Sequence, residues 1–164
     1  MSRLSYDSVD VLIYDPMPSN RTATRATLYA LGFRHTETVS TLEAFIESVH
    51  KNSPDIALCE AQGAADELCG AIQQMREGVA SHNPFIVIIV TAWDKSSALI
   101  NKVVSSGADD LILRPFSPAK LGSASWPISI AARVSSSPPI MSAPTAARTA
   151  RAPPMSNCST HQIR

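Results

Sequence analysis

Four polar side chains stand at the ends of short apolar runs in this 164-residue sequence, and they have the clearest potential for chemistry. The runs before them end at Asp15, Glu60, Thr91 and Arg114. Together they offer two carboxylates, one hydroxyl and one guanidinium. An arginine and a carboxylate can pair through a fork of two hydrogen bonds, so we expect a standing Glu60–Arg114 pair.

Apolar runs alternate with segments of helical periodicity along most of the chain. They predict strands over residues 10–15, 36–39, 55–60, 85–91 and 110–114, with helices between them. Ser19 or Asn20 is expected to cap the first helix and Gly32 to end it. This alternation predicts an α/β fold with a parallel sheet covered by helices on both faces. Because ligands of such sheets bind at the carboxyl ends of the strands, we expect the four polar residues to meet there.

Charge is distributed unevenly, although the formal net charge is zero. All 14 acidic residues lie between Asp7 and Asp110, whereas residues 121–164 carry four arginines and no acid. The longest apolar run, residues 85–90, is too short to cross a bilayer, and no signal-peptide pattern is present. Three cysteines show no disulfide or metal-ligand spacing. We therefore expect a reduced, cytoplasmic protein with no membrane partner.

Several stretches, over roughly residues 9–121, resemble the response regulator receiver domain of two-component systems, as in chemotaxis regulators. The matching pieces are Val-Leu-Ile-Tyr-Asp-Pro-Met-Pro-Ser-Asn-Arg, Leu-Gly-Phe, Pro-Asp-Ile-Ala-Leu-Cys-Glu, Val-Thr-Ala and Gly-Ala-Asp-Asp-Leu-Ile-Leu-Arg-Pro-Phe. The last piece is the most specific. The resemblance implies a flavodoxin-like, doubly wound sheet of five parallel strands in the order 2-1-3-4-5.

The resemblance also implies an acidic pocket that holds Mg²⁺ beside a phosphorylated aspartate. Asp15 matches the first acidic residue of that pocket, but Pro16 occupies the direct metal-ligand position and offers no side-chain oxygen. Glu60 stands at the phosphoacceptor position. Any metal would therefore have only Asp15 and Glu60 as ligands, so we expect no cofactor, with Mg²⁺ binding weak or absent.

The positions that read out phosphorylation are altered as well. Thr91 matches the hydroxyl that contacts the phosphoryl group, and Arg114 replaces the lysine that does so. Leu111 occupies the place of the switch aromatic, so an aromatic readout is missing. Trp93, just after Thr91, could bind a partner or cover the edge of the site. The fixed carboxylate of Glu60 can supply a permanent negative charge, smaller than that of a phosphate.

These departures favour a pseudo-receiver, a protein–protein signalling module that keeps the fold without normal aspartate phosphorylation. The expected partners are a histidine kinase, a phosphotransfer protein or an output protein. The alternative is a phosphorylatable, Mg²⁺-dependent receiver that accepts phosphate from a histidine kinase. We expect no enzyme and no catalytic residue, since nucleotide-binding loops, nucleophile elbows and zinc patterns are absent from the sequence.

The end of the chain has a different composition from the rest. Residues 121–164 contain nine Ser, eight Ala and six Pro, which predicts a receiver domain over 1–122 and a disordered, low-complexity tail over 123–164. A receiver needs a fifth helix here, yet Gly122 and Pro127 stop one. Restoring one base at Gly122 permits codons for an amphipathic helix, so the tail is interpreted as a possible frameshift product. Alternatively it is a basic arm for nucleic acid, for which four arginines are few, making nucleic acid an unlikely partner.

Overall fold

The computed structural model describes residues 6–79, 83 and 85–124. Strands and helices alternate in the order β1 Asp10–Tyr14, α1 Pro18–Leu31, β2 His35–Val39, α2 Leu42–Asn52, β3 Ile56–Glu60, α3 Ala65–Arg76, β4 Val87–Ala92, α4 Ser97–Ser105, β5 Asp110–Leu113 and α5 Pro118–Gly122. The five strands form one parallel sheet in the order β2-β1-β3-β4-β5. The predicted fold class and strand order are therefore confirmed.

Helix ends follow local chemistry, with one departure from the sequence prediction. Thr41, Ser96 and Ser117 each accept a backbone N–H in the first turn of α2, α4 and α5. The prediction that Ser19 or Asn20 caps α1 is wrong, because Met17 is the N-cap and Pro18 opens the helix. Proline suits the first helical position, since its φ is already helical and its missing N–H would have no partner there.

The sheet separates two hydrophobic clusters. Phe45 and Val49 of α2 pack in one cluster with α3 and α4, while Leu28 of α1 packs in the other with Leu121 of α5. Every residue of β3 and β4 is buried, as expected for central strands covered on both faces.

The predicted start of β4 at residue 85 is wrong. Phe85 is 73% exposed, and the strand begins at Val87.

The fifth helix is short, in agreement with its predicted stop. It spans five residues and ends at Gly122, with Leu121 and Ala124 buried against the cluster that includes Leu28. The predicted disordered tail over 123–164 lies outside the described residues from position 125 onward. Within the described part of the chain, no helix has the length and hydropathy needed to span a bilayer.

Candidate functional site

Four strand ends form the candidate site at the carboxyl edge of the sheet. Asp15 directly follows β1, Glu60 ends β3, Thr91 is the penultimate residue of β4, and Arg114 directly follows β5. Parallel pairing places Glu60 opposite Thr91 in the β3–β4 ladder. The structure thus brings together all four residues that the sequence predicted to meet.

Arg114 connects two carboxylates that belong to different strands. Its Nε donates to Glu60 Oε2 at 2.6 Å, and its Nη2 donates to Asp15 Oδ2 at 2.9 Å. The Arg114 side chain is only 8% exposed, and Asp15 and Glu60 are 0% and 1% exposed. The expected pair therefore forms, but the guanidinium divides its two bonds between two carboxylates instead of forking onto Glu60 alone. One permanent cation neutralises part of a doubly negative buried site.

Every carboxylate oxygen in this network accepts a hydrogen bond. Besides the bonds from Arg114, Thr91 Oγ1 donates to Glu60 Oε2 at 2.8 Å and the Gln62 amide donates to Glu60 Oε1 at 3.2 Å. The Met17 amide donates to Asp15 Oδ1 at 2.8 Å. Buried polar groups are stable only when paired, and this site meets that condition internally. It leaves none of the four carboxylate oxygens without a donor.

Three neighbours of the network were missed by the sequence analysis. Thr24, buried on α1, lies 3.4 Å from Arg114 Nη2, and Arg21 Nη1 donates to the backbone oxygen of Asp15 at 2.6 Å. The Arg114 guanidinium also lies 4.9 Å from the centre of the Phe116 ring, a cation–π contact. A buried threonine on the core-facing side of α1, four residues before Leu28, was the available signal for Thr24.

The other predicted positions surround this network without joining it. Pro16 is exposed beside Asp15, and Trp93 is 47% exposed above the ends of β3 and β4, where it lines a cleft of about 300 Å³ with Gln62. Leu111 is partly buried and packs against the cluster formed with α2, α3 and α4. Its side chain therefore contributes to the core at the position where the resemblance implies a switch aromatic.

Burial dominates the ionisation of Glu60. Desolvation raises its pKa, while the Thr91 hydroxyl, the Arg114 charge and the Gln62 amide each lower it by a smaller amount. A carboxylate removed from water favours its neutral form unless its partners offset the lost hydration. The pKa of Glu60 is therefore set by two opposing effects, burial and the polar partners, and burial is the larger.

We expect Glu60→Gln to change how stability depends on pH. Because the pKa of Glu60 is raised in the folded state, its contribution to stability is largest below its unfolded pKa and falls as the pH rises through its folded pKa. The free energy of unfolding of the wild type, relative to Glu60→Gln, should therefore be higher at about pH 4 than at about pH 7. Urea unfolding measures it, with exposed Glu67→Gln as the control. A difference that grows with pH contradicts the expectation.

The strand order defines a flavodoxin-like α/β domain, and the charged pocket lies at the carboxyl edge, where such domains bind their ligands. Residues 11–125 match the profile of the Response regulator receiver domain, and this match covers more than half of the chain. The chain belongs to that family. Receiver domains are signalling modules of two-component systems and interact with histidine kinases and with phosphotransfer or output proteins.

Solved structures share the fold at low sequence identity. A putative pilus assembly-related protein from Burkholderia pseudomallei is 14% identical with a TM-score of 0.64, covering 74% of this chain and 90% of its own. A receiver domain protein from Methanospirillum hungatei is 18% identical with a TM-score of 0.62, covering 78% and 95%. The receiver domain of a sensor histidine kinase from Pseudomonas aeruginosa, with magnesium coordinated in its active site cleft, is 23% identical with a TM-score of 0.59, covering 69% and 90%. No curated protein matches this sequence.

Proposed function

We propose that this chain is a pseudo-receiver, which presents a receiver fold to partner proteins without being switched by aspartate phosphorylation. The observation that carries the proposal is the double contact of Arg114 with Asp15 and Glu60. In a switchable receiver, a recruited metal ion and a transferred phosphoryl group supply the charges of the pocket. Here Arg114 supplies the positive charge of the pocket, and Asp15 and Glu60 supply its negative charges.

Mg²⁺ does not fit the residues that are present. Mg²⁺ requires near-octahedral oxygen coordination and gives up its water reluctantly. Pro16 supplies no oxygen, and one oxygen of Asp15 and one of Glu60 are already bound by the Arg114 guanidinium. A metal ion would have to displace a buried arginine whose positive charge would then repel it. Weak or absent Mg²⁺ binding follows.

Glu60 supports the proposal in a second way, through its contact with Thr91. The hydroxyl of Thr91 donates to Glu60 Oε2 at 2.8 Å, and the family resemblance assigns that hydroxyl to a phosphoryl oxygen. The carboxylate of Glu60 thus takes the bond that a transient group would otherwise receive. The pocket is held in one charged arrangement by its own side chains.

The proposed output of this module is binding of a protein partner in a two-component pathway. A histidine kinase, a phosphotransfer protein and an output protein are the partner classes that the family defines. We propose no enzymatic activity and no bound cofactor. The module acts in the cytoplasm, where such pathways have their receiver steps.

Incubation of the full chain with acetyl phosphate and Mg²⁺ tests the proposal. We expect no phosphorylation by intact-mass measurement, because the Glu60 carboxylate is already bound by Arg114 and the metal position is lost at Pro16. Titration with Mg²⁺, followed by tryptophan fluorescence, is expected to show no saturable change in the millimolar range. Stoichiometric phosphorylation of Glu60 contradicts the proposal and supports the phosphorylatable alternative.

A further inference from the structure

An exposed aromatic ring on α1 lies between two arginines. Tyr29 is 63% exposed, and the guanidinium of Arg34 lies 4.3 Å from the centre of its ring. Arg25, also exposed, precedes Tyr29 by four residues and so shares its face of the helix. The backbone oxygens of Tyr29 and Phe33 accept bonds from Arg34, which holds the cation in place. We call Arg25, Tyr29 and Arg34 the basic ridge.

A shallow, open groove of opposite charge lies on one face of α2. It has a volume of about 440 Å³ and is lined by Glu43, Ile46, Glu47 and His50. Their spacing of three, one and three residues places them on one helical face, with the partly buried Ile46 packed against the core. We call these four residues the acidic groove. Its two glutamates flank an apolar floor.

Three of the charges on these two surfaces are exposed and available for contact. Among the described residues, none of Arg25, Glu43 and Glu47 takes part in a salt bridge. No acidic residue occurs within α1, although the chain up to Lys120 carries an excess of acid. The basic ridge is therefore a local exception to the charge of the domain, and the acidic groove offers it a surface of opposite charge on the same molecule.

We propose that the basic ridge of one copy docks into the acidic groove of a second copy. Tyr29 would lie against Ile46, while Arg25 and Arg34 would face Glu43 and Glu47. The aromatic ring supplies apolar contact at little entropic cost, and the paired charges select the orientation. The attraction between these two opposite patches makes the contact directional.

The contact joins different surfaces of the two copies. The ridge lies on the side of the sheet where Leu28 packs, whereas the groove lies on the other side, where Phe45 packs. Such a heterologous contact leaves one ridge and one groove unused in every dimer, so it can extend into longer assemblies. This inference is independent of the ionic site and of the proposed loss of phosphorylation.

Sedimentation velocity on the full chain, over a wide concentration range, tests the proposal. We expect the mean mass to rise with concentration at low salt and to return to the monomer at about 1 M salt, where screening shortens the Debye length to about 3 Å. Arg25→Glu and Glu47→Arg should each raise the dissociation constant at least about tenfold, because like charges then face each other. An equimolar mixture of the two variants should recover the wild-type affinity.

Matched charge changes elsewhere provide the controls. Lys95→Glu and Glu67→Arg alter exposed residues on other surfaces and should associate as the wild type does. Thermal unfolding of every variant establishes that the fold is kept. A wild-type protein that stays monomeric overturns the proposal, and the basic ridge would then face a partner other than a second copy. Single variants that associate normally, or a mixture that does not recover, overturn it equally.

Discussion

Arg114→Met is expected to lower the free energy of unfolding by about 3–5 kcal/mol, because it leaves two buried carboxylates without their shared cation. Asp15 and Glu60 lie in the core of the carboxyl edge, where water cannot hydrate them. The loss is large beside the total stability of an ordinary domain, about 5–15 kcal/mol. Urea unfolding of the full chain at neutral pH measures it.

Two further variants separate charge from geometry in this experiment. Arg114→Lys keeps the positive charge but loses the planar pair of donors that reaches Asp15 and Glu60 together, so an intermediate loss is expected. Adding Glu60→Gln to Arg114→Met removes one of the two stranded charges and should recover part of the stability. The exposed Lys95→Met is the control, expected to stay within about 0.5 kcal/mol of the wild type. A loss below about 1 kcal/mol for Arg114→Met contradicts the described network.

On the proposed function, rebuilding the pocket should make the protein phosphorylatable. The triple variant Pro16→Asp, Glu60→Asp and Arg114→Lys restores the metal ligand, the acceptor and the lysine that the family resemblance implies. We expect Mg²⁺-dependent incorporation of one phosphoryl group from acetyl phosphate, measured by intact mass and abolished by a chelator. The metal can then offset the negative charge that accumulates in the transfer step.

Pro16→Asp alone is expected to be insufficient. Asp15 and Glu60 would still be engaged by Arg114, so their oxygens would not be free to join a new carboxylate at position 16 in binding a metal ion. The matched control is the triple variant with Asn in place of Asp at position 60, which keeps the carboxylates at positions 15 and 16 but removes the acceptor carboxylate. A folded triple variant that binds Mg²⁺ yet takes no phosphoryl group would show that another feature prevents transfer.

The sequence predicted the site because its strands are short, apolar and terminated by polar residues. In a parallel sheet the carboxyl ends lie at one edge, so Asp15, Glu60, Thr91 and Arg114 had to converge once the alternation of strands and helices was recognised. The predicted pairing of both Arg114 donors with Glu60 alone was wrong in detail. Arg114 follows the edge strand β5 and extends past β4 toward β3 and β1, so it reaches a carboxylate at the end of each of them. Which carboxylates it reaches depends on side-chain torsions that spacing does not encode.

Competing local preferences explain why the predicted starts of α1 and β4 were wrong. At the start of α1, the fixed φ of Pro18 decided the first helical residue over the capping preference of the neighbouring serine and asparagine. At β4, the apolar run from residue 85 read as one strand, but Phe85 lies outside the ladder and is exposed. Apolar character alone does not mark where hydrogen bonding to a neighbouring strand begins.

The Arg114 network joins the ends of β1, β3 and β5 through charged side chains of the chain itself. This has a consequence for how the protein carries information. On the proposed function, folding alone supplies the charges of this pocket, without a metal ion or a phosphoryl group. A cell could then adjust the signal only through how many molecules it synthesises, how quickly it degrades them, or which competitors share the same binding surface. The strength of the signal would then depend on the abundance of the protein.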